Sequence, residues 1–263
     1  MKDIVFLGSK EVGYWCLSHL LENAGALGAR VVAVLTNDRK IHSSDHPTVR
    51  DACDSFSGGA IPVLSSLEEY STISDFDILL SVQYHQILKV PHIVKARQIA
   101  VNLHMAPLPE YRGCNQFSFA ILDGAKEFGT TIHRLEKGID SGAVMFERRF
   151  PIPENCRIRD LFDKTARESV ALFKESIGKI VAGTYTLTSQ KEYVGKRGTS
   201  FHLRNEIDNI KRIDLNWGEE KILRHFRATW FPPFPPPFVL EDGKKTDVTP
   251  EWIERRFGAG RRS

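Results

Sequence analysis

Short, almost wholly apolar runs recur through the N-terminal part of the chain and leave few architectures open. They are Ile4-Val5-Phe6-Leu7-Gly8, Val31-Val32-Ala33-Val34-Leu35, Asp77-Ile78-Leu79-Leu80-Ser81-Val82 and Ile99-Ala100-Val101-Asn102-Leu103. Runs this short and this apolar have no face to give to water, so they read as strands buried on both sides, which occur in parallel sheets covered by helices. The stretch from Glu11 to Asn23 reads as a helix between the first two of them, and Ile158 to Ala182 carries Leu161, Phe162, Ala166, Val170, Phe173, Ile177 and Val181 at helical spacing. The expected fold class is α/β, with a doubly wound, mostly parallel sheet. Residues 37 to 60, rich in Asp, Ser, His and Gly, read as a polar connection that either borders a ligand or is a solvated loop.

The run that ends in Asn102 breaks the apolar pattern at its carboxyl end, where ligands bind in open α/β sheets. Strand side chains repeat with period two, so Asn102 and His104 share one side of the strand and can face one ligand. Pro107 and Pro109 then end regular structure. Further on, Gly138-Ile139-Asp140-Ser141-Gly142 supplies a carboxylate between glycines that permit a tight turn. Amide, imidazole and carboxylate are the equipment of acyl transfer to an amine. An amide N–H stabilises the oxyanion that develops on the carbonyl, and an imidazole takes the proton that the attacking amine must lose. A carboxylate facing that imidazole fixes its tautomer and favours its cation. Asn102, His104 and Asp140 are therefore the candidate catalytic residues, and this chemistry requires no metal.

The run Asn102-Leu103-His104-Met105-Ala106-Pro107-Leu108-Pro109-Glu110-Tyr111-Arg112-Gly113, with Gly129-Thr130-Thr131-Ile132-His133 and Gly138 to Gly142, resembles the formyltransferase family that uses 10-formyltetrahydrofolate. That family includes methionyl-tRNA formyltransferase, glycinamide ribonucleotide transformylase and the sugar N-formyltransferases. Its catalytic asparagine, histidine and aspartate fall on Asn102, His104 and Asp140 in order and spacing. Met105-Ala106-Pro107 departs from the small residues and Leu-Leu-Pro of many members, which alters a loop wall without removing a reacting group. The resemblance covers residues 1 to 180 and extends weakly, toward the sugar-modifying branch, to about residue 245. It implies 10-formyltetrahydrofolate as formyl donor, a nucleotide-linked amino sugar as acceptor, and a pteridine pocket lined by the backbone of Val82, Gln83 and Tyr84. It also implies a catalytic domain over residues 1–183 and a C-terminal arm, helix and hairpin over 184–263 that border substrate and form a homodimer.

Ser81 to Leu88 reads as a strand end that opens a helical segment, with His85 as a polar residue at the helix start. Asn115 to Leu122 reads as a helix capped by Asn115, with Phe119 and Leu122 facing the core. His133 alternates with Ile132 in a strand paired to Ala143–Phe146, so it either lines the substrate side or is an ordinary strand histidine. Tyr193 to Asp214 reads as an extended polar arm. On it, Tyr193, or Trp217 beyond it, could stack on a nucleotide base, and Lys196 or Arg197 could approach a diphosphate. Trp217 to Ala228 reads as the start and body of a helix, and Asp242-Gly243 as a hairpin turn. Gly8 to Gly13 lacks the Gly-x-Gly-x-x-Gly of dinucleotide sites, so no nucleotide cofactor is assigned to it.

Composition excludes several classes. With 41% hydrophobic and 26% charged residues in 263, the chain is neither disordered nor fibrous. It has no long apolar segment for a membrane and no leader-like N-terminus, so a cytoplasmic protein is expected. The net charge of +3 is dispersed apart from two Arg pairs near the C-terminus, which does not call for nucleic acid. Cys16, Cys53, Cys114 and Cys156 lack the spacing of a zinc site or a disulfide framework. Another formyltransferase or formyl-folate hydrolase with the same three residues, and a noncatalytic module that keeps the folate pocket, stand as alternatives.

Overall fold

A computed structural model of the protein describes residues 1–37 and 47–258. Residues 38–46 of the expected polar connection, and the tail after residue 258, lie outside the described residues. The first elements are β1 (Lys2–Gly8), α1 (Lys10–Asn23), β2 (Ala29–Leu35), α2 (Val49–Asp54), β3 (Val63–Leu64), α3 (Leu67–Thr72) and β4 (Phe76–Val82). They continue as α4 (Val90–Ile93), β5 (Ala96–His104), β6 (Arg112–Gly113), α5 (Gln116–Leu122), β7 (Glu127–Arg134), β8 (Val144–Pro151) and α6 (Ile158–Ala182). The chain then forms α7 (Lys191–Arg197), β9 (Phe201–His202), α8 (Glu206–Ile210), α9 (Glu219–Thr229), β10 (Phe238–Glu241), β11 (Lys244–Asp247) and α10 (Pro250–Phe257).

The sheet has the strand order β3-β2-β1-β4-β5-β7-β8. The pairs β1–β2, β1–β4, β2–β3 and β4–β5 are parallel, and β5–β7 is antiparallel. Ile4, Val5, Phe6 and Leu7 are all fully buried, as expected of a central strand with helices over both faces. The mostly parallel α/β expectation is therefore met, and the antiparallel entry of β7 lays its residues beside the carboxyl end of β5.

The fold divides into two compact units. The first comprises residues 1–110, 129–149 and 165–199, and the second comprises 111–128, 150–164 and 200–263. The expected boundary at residue 183 thus falls inside the first unit, because the segment after α6 returns to it. In that unit Val5, Leu7, Ala33, Leu35, Tyr70, Phe76, Leu79 and Ala100 form one apolar cluster. In the second, Ile213, Ile222, Phe226, Val239, Val248 and Trp252 form another. The β10–β11 hairpin is closed by Asp242 and Gly243, both at positive φ (48° and 75°), as a type I′ turn requires. No helix among the described residues is long and apolar enough to cross a membrane.

Several local expectations are corrected. The segment Tyr193 to Asp214 is not an extended arm: it contains α7 and α8, short polar helices without side-chain caps. After β4 the chain does not enter a helix at His85 but runs irregularly to the single turn α4. Asn115 precedes α5 in the left-handed region (φ 59°) and does not cap it; its amide donates to the carbonyls of Leu203 and Arg204 instead. The buried face of α5 is Phe117, Ser118, Ala120 and Ile121, while Phe119 stacks on His202 with ring centroids 3.5 Å apart. On α6 the fully buried positions include Thr165, Ser169 and Ser176, whereas Ala166 and Val170 are half-buried. One of those hydroxyls supports the site described next.

Candidate active site

Strand register assembles the site. Ser81 of β4 stands opposite Asn102 of β5, and Asn102 stands opposite His133 of β7, so three polar side chains form one row across the sheet. Within it the Ser81 hydroxyl donates to Asn102 Oδ1 at 2.8 Å, and Asn102 Nδ2 lies 3.2 Å from His133 Nε2. His104, two residues beyond Asn102, is 6% exposed and pairs with Thr131. Its backbone is fixed from beneath: Thr130 Oγ1 donates to the His104 carbonyl at 3.0 Å, and Ser169 of α6 donates to Thr130 Oγ1 at 2.7 Å. Thr131 Oγ1 donates to the Ala106 carbonyl and accepts from the Leu108 amide, which holds the segment after β5 to β7.

Asp140 reaches this row from the β7–β8 connection. Its Oδ2 is 3.6 Å from His104 Nδ1 and its Oδ1 is 3.5 Å from His133 Nε2, so a single carboxylate faces two imidazoles. These separations are longer than hydrogen bonds but within ion-pair reach, and catalytic contacts commonly tighten only when substrate is bound. Asp140 sits at φ 48°, a region that Asp tolerates better than most residues, after Gly138 at φ 122°. The loop is clamped by Gln190, just before α7, whose Nε2 donates at 2.8 Å to the carbonyls of both Asp140 and Gly142.

Gly142 is required by contact. A Cβ built there would lie 1.8 Å from the Arg134 carbonyl oxygen, the atom on which His133 Nδ1 rests at 3.0 Å. Gly142→Ala is therefore expected to push the loop and the Arg134 peptide apart. Overpacking of this kind costs about 1–3 kcal/mol, and a misplacement of about 1 Å in a reacting group costs about 10²-fold in rate. Thermal denaturation and steady-state kinetics on the same preparation check both parts.

The remaining candidates are placed as follows. Val82 ends β4 opposite Gly8, and Gln83 follows it at φ 55°. Both of their carbonyls accept from Ser9: Val82 O from its amide at 3.2 Å and Gln83 O from its hydroxyl. Lys10 Nζ donates to Gln83 Oε1 at 3.2 Å. Tyr84 packs on the apolar cluster of the first unit, and burial pushes its phenol up to about 12. Tyr193, Lys196 and Arg197 lie on α7. Arg197 grips both oxygens of Glu147 at 2.7 and 2.8 Å and covers the Tyr193 ring at 4.4 Å, while Lys196 is exposed. Trp217 belongs to the second unit, where it flanks the apolar cluster with Lys221 Nζ 4.1 Å over its ring. Sequence reasoning missed Ser81, Gln190 and Ser169 as parts of the site, since each acts through a hydrogen bond that only the fold creates.

The sequence matches the formyl transferase family over residues 2–177. It is 31% identical over 176 residues to a GDP-perosamine N-formyltransferase of Brucella melitensis, covering 67% of this chain and 65% of that one. The chain thus spans just under two thirds of that relative's length. It is also 28% identical over 257 residues to a methionyl-tRNA formyltransferase of Levilactobacillus brevis, covering 94% of this chain and 78% of that protein. Among solved structures, an N-formyltransferase from Helicobacter canadensis in complex with folinic acid and dTDP-3-aminofucose superposes with a TM-score of 0.73 at 26% identity, covering 88% of this chain and 81% of that one.

Proposed function

The chain belongs to the formyl transferase family, and on that basis we propose that it moves a formyl group from 10-formyltetrahydrofolate to the amino group of a nucleotide-linked amino sugar. The observation that carries the chemistry is Asp140 facing His104 at the carboxyl end of the sheet, beside the half-exposed amide of Asn102. The acceptor class is supported by the relatives: perosamine on GDP in one and aminofucose on dTDP in another are both amino sugars linked to nucleotides. A formyl-folate donor is supported by the folinic acid bound in the Helicobacter enzyme.

Each residue then has a task. Asn102 donates an amide N–H to the carbonyl oxygen as it gains negative charge, which stabilises the transition state more than the substrate. His104 takes the proton that the amine nitrogen sheds as its bond to the formyl carbon forms. Asp140 favours the resulting imidazolium by charge, and the proton passes to the departing folate nitrogen as the old carbon–nitrogen bond breaks. Val82, Gln83 and Tyr84 line the pteridine, and Tyr193, Lys196 and Arg197 border the nucleotide sugar. The protein works in the cytoplasm and forms a homodimer, the dimer being supported by the weak resemblance of the chain up to about residue 245 to the sugar-modifying branch.

The test is incubation with 10-formyltetrahydrofolate and a panel of GDP- and dTDP-linked amino sugars, with methionyl-tRNA and water as competing acceptors. Mass spectrometry that finds one carbonyl added to a sugar amine supports the proposal. Formylation of methionyl-tRNA alone, in line with the relative matched over 94% of the chain, overturns the acceptor. Release of formate alone overturns the transfer.

A further inference from the structure

We propose that His133 is a positioning residue: as a neutral imidazole carrying its hydrogen on Nδ1, it accepts from Asn102 through Nε2 and so fixes the orientation of the amide that faces the reacting carbonyl. This rests on the formyl-transfer reading for the reaction it serves, but the hydrogen-bond assignment stands on geometry alone.

His133 is 1% exposed, too enclosed to line a substrate pocket with its ring. Its Nδ1 is 3.0 Å from the Arg134 carbonyl, and a carbonyl only accepts, so Nδ1 must carry the hydrogen. On the other side of the row, Asn102 is held at its oxygen by the Ser81 hydroxyl at 2.8 Å. With Oδ1 toward Ser81 and Nδ2 toward His133 at 3.2 Å, both of these contacts pair a donor with an acceptor as long as Nε2 bears a lone pair. A flipped amide would set its oxygen against that lone pair, a repulsion relieved only by a second proton on the ring. The tautomer and the amide orientation therefore enforce each other. They leave the second Nδ2 hydrogen with no other protein acceptor among the described residues, and that hydrogen is the one a developing oxyanion needs.

Asp140 makes the arrangement consequential. Its Oδ1 lies 3.5 Å from the same Nε2, so the carboxylate and the Asn102 amide compete for one nitrogen. A ring carrying both hydrogens would donate to Asp140, could no longer accept from Asn102, and would release the amide to turn. His133 thus couples the oxyanion donor to the carboxylate that serves His104, whose ring lies 6.4 Å from its own.

The test uses two substitutions that differ in one respect. In His133→Gln the side-chain oxygen can reach the Nε2 position and accept from Asn102; His133→Asn keeps a donor for Arg134 but is too short to supply that acceptor. His133→Asn is expected to lower kcat by about 10- to 100-fold, less than outright loss of an oxyanion donor, with both KM values within a few-fold of wild type. His133→Gln is expected to recover most of that loss. Wild-type kcat in His133→Asn, equal damage in both variants, or a raised acceptor KM at unchanged kcat each overturns the proposal. If either variant fails to fold, the wild-type protein with 15N-labelled histidine decides: a pyridine-type Nε2 and a pyrrole-type Nδ1 for His133 at neutral pH support it. The opposite tautomer or a doubly protonated ring overturns it. That spectrum needs no substrate, so a protein that formylates no amine would sink the functional reading and leave this inference still decided.

Discussion

Replacing His104 with alanine is expected to lower kcat for formyl transfer by roughly 10²- to 10⁴-fold, the range for loss of a positioned general base. The protein should remain folded, because what holds this position is the backbone bond from Thr130, itself held by Ser169, and neither bond involves the ring. KM for the donor should change little, since the imidazole matters most once a proton is in motion; a fall in kcat and kcat/KM together is the signature of an interaction made in the transition state. Stopped assays of formyl-sugar production, with circular dichroism on the same samples, decide the point. A variant that turns over at the wild-type rate would remove His104 from the chemistry and leave the Asp140 carboxylate facing it without a purpose.

The second large effect is expected at Asn102. Asn102→Ala removes the amide donor and should lower kcat by about 10²- to 10³-fold. The more telling comparison is Asn102→Asp, which has nearly the same shape but is acceptor-only when ionised. It would set negative charge where the oxyanion develops and another acceptor against His133 Nε2, 3.2 Å from the native nitrogen. If Asn102 works as a donor, Asp must be at least as damaging as Ala. If it only fills space, Asp should be close to wild type. Single-turnover kinetics with the formyl donor in excess separates these outcomes from any effect on product release.

Much of this arrangement can be read before folding, and the reasons are local. The apolar runs around Val5, Val34 and Leu79 announce buried parallel strands because no other element is so short and so uniformly apolar. Asn102 and His104 stand out because two polar side chains, spaced for one face, end such a run. Asp140 carries no such local signal and is found only through the motif around it. What stays hidden is what distant segments supply. Ser81 reads as a neutral strand residue until β4 and β5 pair, and Gln190 lies 50 residues from the carbonyl it clamps. Helices α7 and α8 leave no signal in the sequence because they are short, polar and uncapped, and α7 is held by docking. Arg197 shows this by gripping Glu147 of β8. Thr165, Ser169 and Ser176 blur the apolar stripe of α6 for a similar reason: buried hydroxyls look like errors of periodicity until their acceptors are known.

The Gln190 clamp bears on how the protein is made. All three reacting side chains have left the ribosome well before the residue that secures the aspartate loop, so a nascent or truncated product ending at α6 would own the complete reactive set without a rigid frame for it. Competence for turnover should therefore emerge late in synthesis, and any minimal fragment engineered for use as a biocatalyst has to reach beyond the long helix to keep the loop in register.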